Sequence, residues 1–321
     1  MIKTVLLWAG AALAVGFLVL TFVNASWLAP DPPGGLELIA HGGAGQPVDR
    51  SADCPAARAR SSDHIFIENT IPGIHQAVAR GADWVAVDIA ETADGELILF
   101  SDETLDCRTD GTGPVGEATL AEIRRLDAGH GYTPDGGDSY PLRGKGVGLI
   151  PTVADLVEQV RGPRFLFRLS SEDPGQADRL VEILRDPRLD IVDYFGFYGA
   201  AAPIERIREL VPGAWAFTVE EARRCTDDYV AWGWYGQVPE SCRGGTIAIP
   251  LNRQLLIWGF PNRFIARMRA ADTRMIVFGP GLEGDPPTGI TEAEQLTRVP
   301  ATYTGTIWIE DIWNIGPALR D

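Results

Sequence analysis

Only four histidines occur in the 321 residues: His41, His64, His75 and His130. Imidazole is the side chain best placed to move protons near neutral pH, so their settings decide what chemistry is open. His41 directly follows the apolar run 36–40 (LELIA), which reads as a strand. The carboxyl end of a parallel strand is where α/β barrels build their active sites. The alternative for His41 is a structural histidine satisfied within the fold. His64 and His75 have no such setting and default to the surface. His130 and Lys145 fall in the loop-like stretch 127–149, where ligand contact and plain solvent exposure both stand. Asp88 lies near the end of a second strand-like run, 84–89 (WVAVDI), and Arg168 inside a later one, 165–169. A carboxylate in that position holds a cation or pairs with a guanidinium. Glu68 lies just before Thr70, a helix-capping residue, and a carboxylate is favourable near a helix N-terminus. Asp102 fits a role in ordering the turn after a short extra strand.

The elements that must position these groups follow from periodicity. Short β-rich runs alternate with helical patterns along the chain. Strands are expected at 36–40, 84–89, 165–169, 194–197, 214–218, 246–250, 275–278 and 306–309, with an extra strand at 96–100 joined through the Asp94-Gly95 turn. Thr70 and Thr152 can cap helices, the first with Pro72 in its opening turn. Further helical patterns cover 120–126, 174–184, 203–210 and 262–270. Eight repeated βα units argue for an α/β fold of the (β/α)8 TIM-barrel type. A Rossmann-like open sheet is the structural rival, but no GxGxxG follows the first strand.

The ends and the composition set the compartment. Residues 5–23 form a charge-free apolar run, and a helix needs about 20 such residues to cross a bilayer. Lys3 precedes the run and Asp31 is the first charge after it, so the positive-inside rule puts the N-terminus in the cytoplasm. The expectation is a single-pass anchor and linker over 1–30, with the barrel domain over 31–321 in the periplasm at the inner membrane. A cleaved signal peptide is the rival, although the run exceeds the usual h-region of about 7–15 residues. The formal net charge of -16 gives no basic footprint for nucleic acid. It also repels anionic headgroups, so membrane attachment must come from apolar sequence. Four cysteines in an exported chain favour disulfides, and Cys54–Cys107 and Cys225–Cys242 are expected because each pair shares one stretch of loops. Four buried free thiols are the alternative. Trp232, Trp234, Tyr235 and Trp258 fit either a barrel mouth or a packed core.

Several ordered motifs carry a resemblance. Residues 38–43 read LIAHGG, 68–70 read ENT, and 81–106 read GADWVAVDIAETADGELILFSDETLD. The stretches 107–113 (CRTDGTG) and 119–129 (TLAEIRRLDAG) continue in register. Together they resemble the glycerophosphodiester phosphodiesterase family, with weaker likeness in 141–157 and in the tail 305–317 (GTIWIEDIWNIGP). That resemblance implies a barrel, a divalent ion such as Ca²⁺ or Mg²⁺, a pair of histidines as acid and base, and glycerol-3-phosphate esters as substrates in lipid metabolism.

Residue by residue, the sequence departs from the family pattern. His41 stands at the first catalytic histidine. Gly42 replaces the phosphate-contacting arginine, Ala86 replaces the first metal-binding glutamate, and Ser101 replaces the second histidine. Asp88 is the residual metal position, Glu68 is kept, and Arg168 and Ser170 are the counterparts of a Glu-x-Lys pair. Two carboxylates are few for a hard cation that prefers many oxygen ligands. A lost acid–base group alone costs about 10²–10⁴-fold in rate. No substantial metal-dependent activity is therefore expected, although the resemblance implies a divalent ion. Three functions stay open: a weakened or inactive pseudoenzyme binding a glycerophosphodiester or lipid headgroup through Glu68 and Arg168, an active phosphoric diester hydrolase using His41 as acid–base and Arg168 as clamp, and a non-catalytic structural envelope protein.

Overall fold

The computed structural model describes residues 2–185, 190–282, 284 and 286–319. Helix α1 (Ile2–Asn24) precedes the barrel. The strands are β1 (Glu37–His41), β2 (Trp84–Glu91), β3 (Leu97–Leu99), β4 (Arg164–Leu169), β5 (Phe195–Gly199), β6 (Trp215–Phe217), β7 (Thr246–Pro250), β8 (Arg274–Phe278) and β9 (Thr306–Ile309). Eight of them run parallel in the order β6-β5-β4-β2-β1-β9-β8-β7, while β3 pairs antiparallel with β2 through the Asp94-Gly95 turn. The sheet curls into a nearly closed barrel. At the β6/β7 seam the Trp215 indole N–H donates to the Thr246 hydroxyl at 2.9 Å, in place of a backbone ladder.

Strand alternation explains the two apolar layers. Residues two apart on a strand share a face. Ile39, Trp84, Ala86, Leu166, Tyr198, Phe278 and Trp308 fill the barrel interior, whereas Leu38, Ala40, Val85, Val87, Phe165 and Phe167 pack outward under the helices. A third cluster, including Ile67, Ile98, Leu105, Tyr132 and Leu142, supports the loops over the mouth. The disulfides Cys54–Cys107 and Cys225–Cys242 are both formed. Helix α2 (Ile71–Ala79) starts at Thr70, whose hydroxyl accepts from the Gly73 amide, with Pro72 in the first turn.

The expected strands are present with shifted ends. Tyr194 belongs to a short helix, Ile191–Tyr194, so β5 starts one residue later than expected. β6 is confined to three residues because Thr218 is the N-cap of the helix Val219–Trp232. His64 is buried rather than superficial: it packs beside Phe66 and Trp313 and takes the Gln46 amide. His75 is exposed.

Candidate active site

Interior parity brings His41, Asp88 and Arg168 to one place. His41 follows Ile39 on β1, Asp88 follows Ala86 on β2, and Arg168 follows Leu166 on β4. Cross-strand register sets His41 beside Ala86 and Asp88 beside Arg168. Glu310, one residue beyond β9, continues the parity of Trp308. His41, Asp88 and Arg168 line a cavity of about 290 Å³ together with Arg50, Ser101, Asp102 and Arg108, and Glu310 lines an adjoining one that shares Arg50.

His41 is held by its Nδ1, 3.0 Å from Glu310 Oε2, and its ring meets the Trp308 edge at 5.1 Å between centroids. Its Nε2 is buried, has no hydrogen-bond partner among the described residues, and lies 3.9 Å from Asp88 Oδ2. Asp88 is positioned by Asn69, whose amide donates to Oδ2 at 3.1 Å and whose Oδ1 accepts from the Asp88 backbone at 3.2 Å. Asn69 adopts φ 56°, a left-handed conformation that asparagine tolerates better than most residues. Arg168 approaches Asp88 Oδ1 at 3.5 Å.

The remaining carboxylates are held by arginines from the loops. Arg50 bridges Glu68 and Glu310, donating to Glu68 Oε2 at 2.7 Å. Arg108 donates to Glu68 Oε1, to Asp102 Oδ2 at 2.9 Å and to the Tyr132 hydroxyl at 2.6 Å. The other Glu310 oxygen accepts from the Gly289 amide and the Trp308 indole. Glu68 therefore does not cap α2; its carboxylate is taken by two guanidiniums. Ser101 donates to Asp102 at 3.1 Å.

These contacts set the ionisation of the mouth. Burial alone would raise the Glu68 carboxyl, but Arg108 and Arg50 outweigh it and hold it below the usual range. Burial is likewise overcome at Asp88 by His41 and Arg168, and at Glu310 by His41 and Arg50. Burial opposes the charge on Arg50, yet Glu68 and Glu310 keep it firmly protonated.

The divalent ion implied by the family does not fit this arrangement. A calcium ion takes about six to eight oxygen ligands. Both oxygens of Glu68, Asp88 and Glu310 are already engaged by guanidinium, imidazole, amide or indole groups, and three arginines supply positive charge around them. Ala86, where the family has a glutamate, is buried and contributes only a methyl group to the interior core. Among the described residues, no group of three or more His, Cys, Asp or Glu is arranged to hold a metal.

Gly42 leaves little room for a side chain. Its φ is +68°, and a Cβ there would lie 2.9 Å from Glu68 Cβ. Arg50 supplies a guanidinium to the mouth from a different loop. Arg50, Arg108 and Glu310 were not legible as site residues. The first two sit on loops without periodicity, clamped together by Cys54–Cys107. Glu310 had the parity signal of the strand before it. Lys145 lines a separate cavity of about 330 Å³ with His64 and Arg60, and the carbonyl of His130 accepts from Arg143. Trp232, Trp234, Tyr235 and Trp258 do not line the mouth cavity.

Fold and mouth together define a TIM-type barrel whose ionisable groups converge at the C-terminal ends of β1, β2, β4 and β9. A model of the glycerophosphoryl diester phosphodiesterase family matches residues 58–196. The chain is 31% identical over 139 residues to a glycerophosphodiester phosphodiesterase of Caldanaerobacter subterraneus, covering 41% of this chain and 54% of the relative. It is 34% identical over 128 residues to one from Bacillus subtilis, covering 38% and 42%. The matched region thus spans about half the length of these relatives. In fold, the chain is similar to a glycerophosphoryl diester phosphodiesterase domain from Mycobacterium tuberculosis, with TM-score 0.61, 17% identity and coverage of 89% and 99%. It is also similar to an Oleispira antarctica phosphodiesterase in complex with the product sn-glycerol-3-phosphate, with TM-score 0.59, 18% identity and coverage of 92% and 99%. The family model and these curated relatives support membership of the glycerophosphodiester phosphodiesterase family, and the solved structures support the barrel fold.

Proposed function

We propose that this chain is a metal-independent member of its family that binds a glycerophosphodiester-type headgroup and hydrolyses it weakly or not at all. One observation carries the reading: every mouth carboxylate is already paired with protein donors, and Arg50, Arg108 and Arg168 surround the cavity. A phosphodiester is a monoanion, and guanidinium is the side chain whose fork of donors matches its oxygens. The family resemblance points to the glycerol-3-phosphate class, and one structural neighbour holds sn-glycerol-3-phosphate. Ser101 stands where a second imidazole would protonate the leaving alkoxide, and a neutral hydroxyl is a far weaker acid. We read α1 as a retained span that keeps the barrel at the periplasmic membrane face. The test is calorimetry with glycerophosphocholine on the full chain, alongside turnover assays in EDTA and with Ca²⁺, Mg²⁺ or Mn²⁺. Binding in EDTA without metal-stimulated turnover is expected. Turnover that requires a divalent ion and disappears in His41→Ala overturns it.

A second reading has its own observation. Glu310 orients His41 through Nδ1 and leaves Nε2 aimed at the cavity, the arrangement of a working acid–base imidazole. Under this reading, His41 exchanges the proton and Arg168 clamps the phosphate. EDTA-resistant turnover lost in His41→Gln would favour it.

A further inference from the structure

The last turn of α1 is tied into the barrel, and the contacts gather around one residue, Arg267. Its guanidinium donates to the Val23 carbonyl at 2.8 Å and to Asn24 Oδ1 at 3.0 Å. The final carbonyls of a helix lack intrahelical partners, and a cation there is favoured by the helix dipole. The same Arg267 also reaches the Tyr229 hydroxyl at 3.1 Å and the Trp258 carbonyl at 3.4 Å. Asn24 in turn donates to the Trp234 carbonyl at 2.7 Å. Just beyond the helix, the Ser26 hydroxyl accepts from the Asn262 backbone at 2.8 Å. The apolar segment is therefore fixed at its base by side chains of the barrel rather than tethered by a loose linker.

Around that base, the protein exposes large apolar side chains. Trp27 is 76% exposed, and Trp232, Trp234 and Tyr235 are exposed on and just after the helix whose end meets α1. Leu255, fully exposed, and Leu256 lie three and two residues before Trp258, whose carbonyl shares Arg267 with α1. Such a patch on a soluble surface marks an interaction site. Its composition narrows the partner. Trp and Tyr concentrate at membrane–water boundaries, where an apolar ring and a polar atom are both satisfied. The chain's net charge of -16 disfavours docking by charge on anionic lipid, so an apolar ledge is the workable means.

We infer that this ledge, built on Trp27, Trp234, Tyr235 and Leu255, sits in the interfacial layer of the bilayer that α1 spans and fixes the tilt of the barrel on the membrane. The inference rests on the reading of α1 as a retained span. A barrel held at one tilt presents its mouth at a constant height and angle to lipid headgroups.

The test uses the full chain in zwitterionic phosphatidylcholine nanodiscs, with a nitroxide label introduced singly at Leu13→Cys, Ile65→Cys, Tyr235→Cys or Leu255→Cys. Each variant is first checked by mass for retention of both native disulfides. Collision with oxygen reports a lipid setting, and collision with an aqueous nickel chelate reports water. Labels at 13, 235 and 255 should show an oxygen-to-nickel ratio several-fold above that at 65, an exposed position away from the ledge. Labels at 235 and 255 matching 65, with 13 still in lipid, overturn the ledge while leaving the span intact. A label at 13 matching 65 removes the span, and the ledge falls with it.

Discussion

Replacing Arg50 with methionine tests the idea that arginines occupy the place of a metal. The change keeps most of the side-chain length and deletes the guanidinium that bridges Glu68 and Glu310. Removing one partner of a buried ion pair costs about 3–5 kcal/mol when the other charge is left alone. Neither carboxylate is left alone here: Glu68 keeps Arg108, while Glu310 keeps His41, the Gly289 amide and the Trp308 indole. Arg50 is also 21% exposed, so water screens part of the loss. The expected cost is therefore nearer about 1–3 kcal/mol, read from urea denaturation of wild type and Arg50→Met. The variant should also gain something. With the bridge gone, Glu68 Oε2 is left without a donor among the described residues, while Glu310 Oε2 keeps only His41. Calcium at ten times its dissociation constant would then stabilise the variant by about 1.4 kcal/mol. Thermal melts should show a calcium-dependent rise in Tm for Arg50→Met and none for wild type. A loss below about 0.5 kcal/mol, well under the cost of breaking a buried pair, would refute the reasoning. A wild-type response to calcium as large as the variant's would refute it as well.

Three other outcomes follow from the same contacts. Gly42→Ala should destabilise the barrel by about 1–2 kcal/mol, the cost of a side chain at positive φ, and Gly42→Arg should not restore turnover; urea melts and a glycerophosphocholine assay check both. The double variant Cys54→Ser/Cys107→Ser should lose about 2–4 kcal/mol of stability. It should also weaken headgroup binding in calorimetry, because the loops carrying Arg50 and Arg108 separate, whereas Cys225→Ser/Cys242→Ser should lose stability alone. Glu68, Asp88 and Glu310 all have carboxyls depressed by folding. Their contribution is complete above the unfolded carboxylate range and is lost as pH falls below about 4 toward their folded values, so denaturation midpoints should drop steeply beneath that point, after a smaller decline below about 6.5 from His64, whose burial pushes its imidazole down.

The barrel was legible because its strands follow simple rules. The runs LELIAH, WVAVDI and FLFRL each alternate between interior and helix-facing positions, and that alternation put His41, Asp88 and Arg168 in one cavity. The same rule reaches Glu310 through Trp308, but in the sequence the run IWIEDIW reads only as a worn ending. Arg50 and Arg108 obey no such rule. Their positions depend on a disulfide between residues 53 apart and on a carboxylate contributed by the segment before α2. The aromatic run at 232–235 shows the opposite limit. Its composition allowed either a mouth or a core, and Trp232, Trp234 and Tyr235 are exposed instead, next to the base of α1. Glu68 misled for a local reason: its place near a helix start fits a cap, while the nearby guanidiniums form much stronger partners than a dipole.

The most direct measurement is calorimetric titration of the full chain, first with calcium and then with glycerophosphocholine in EDTA. A paired, arginine-lined mouth predicts no calcium heat and ligand binding that EDTA leaves unchanged. Stoichiometric calcium binding that disappears in Asp88→Asn, with ligand binding that depends on it, would contradict that mouth.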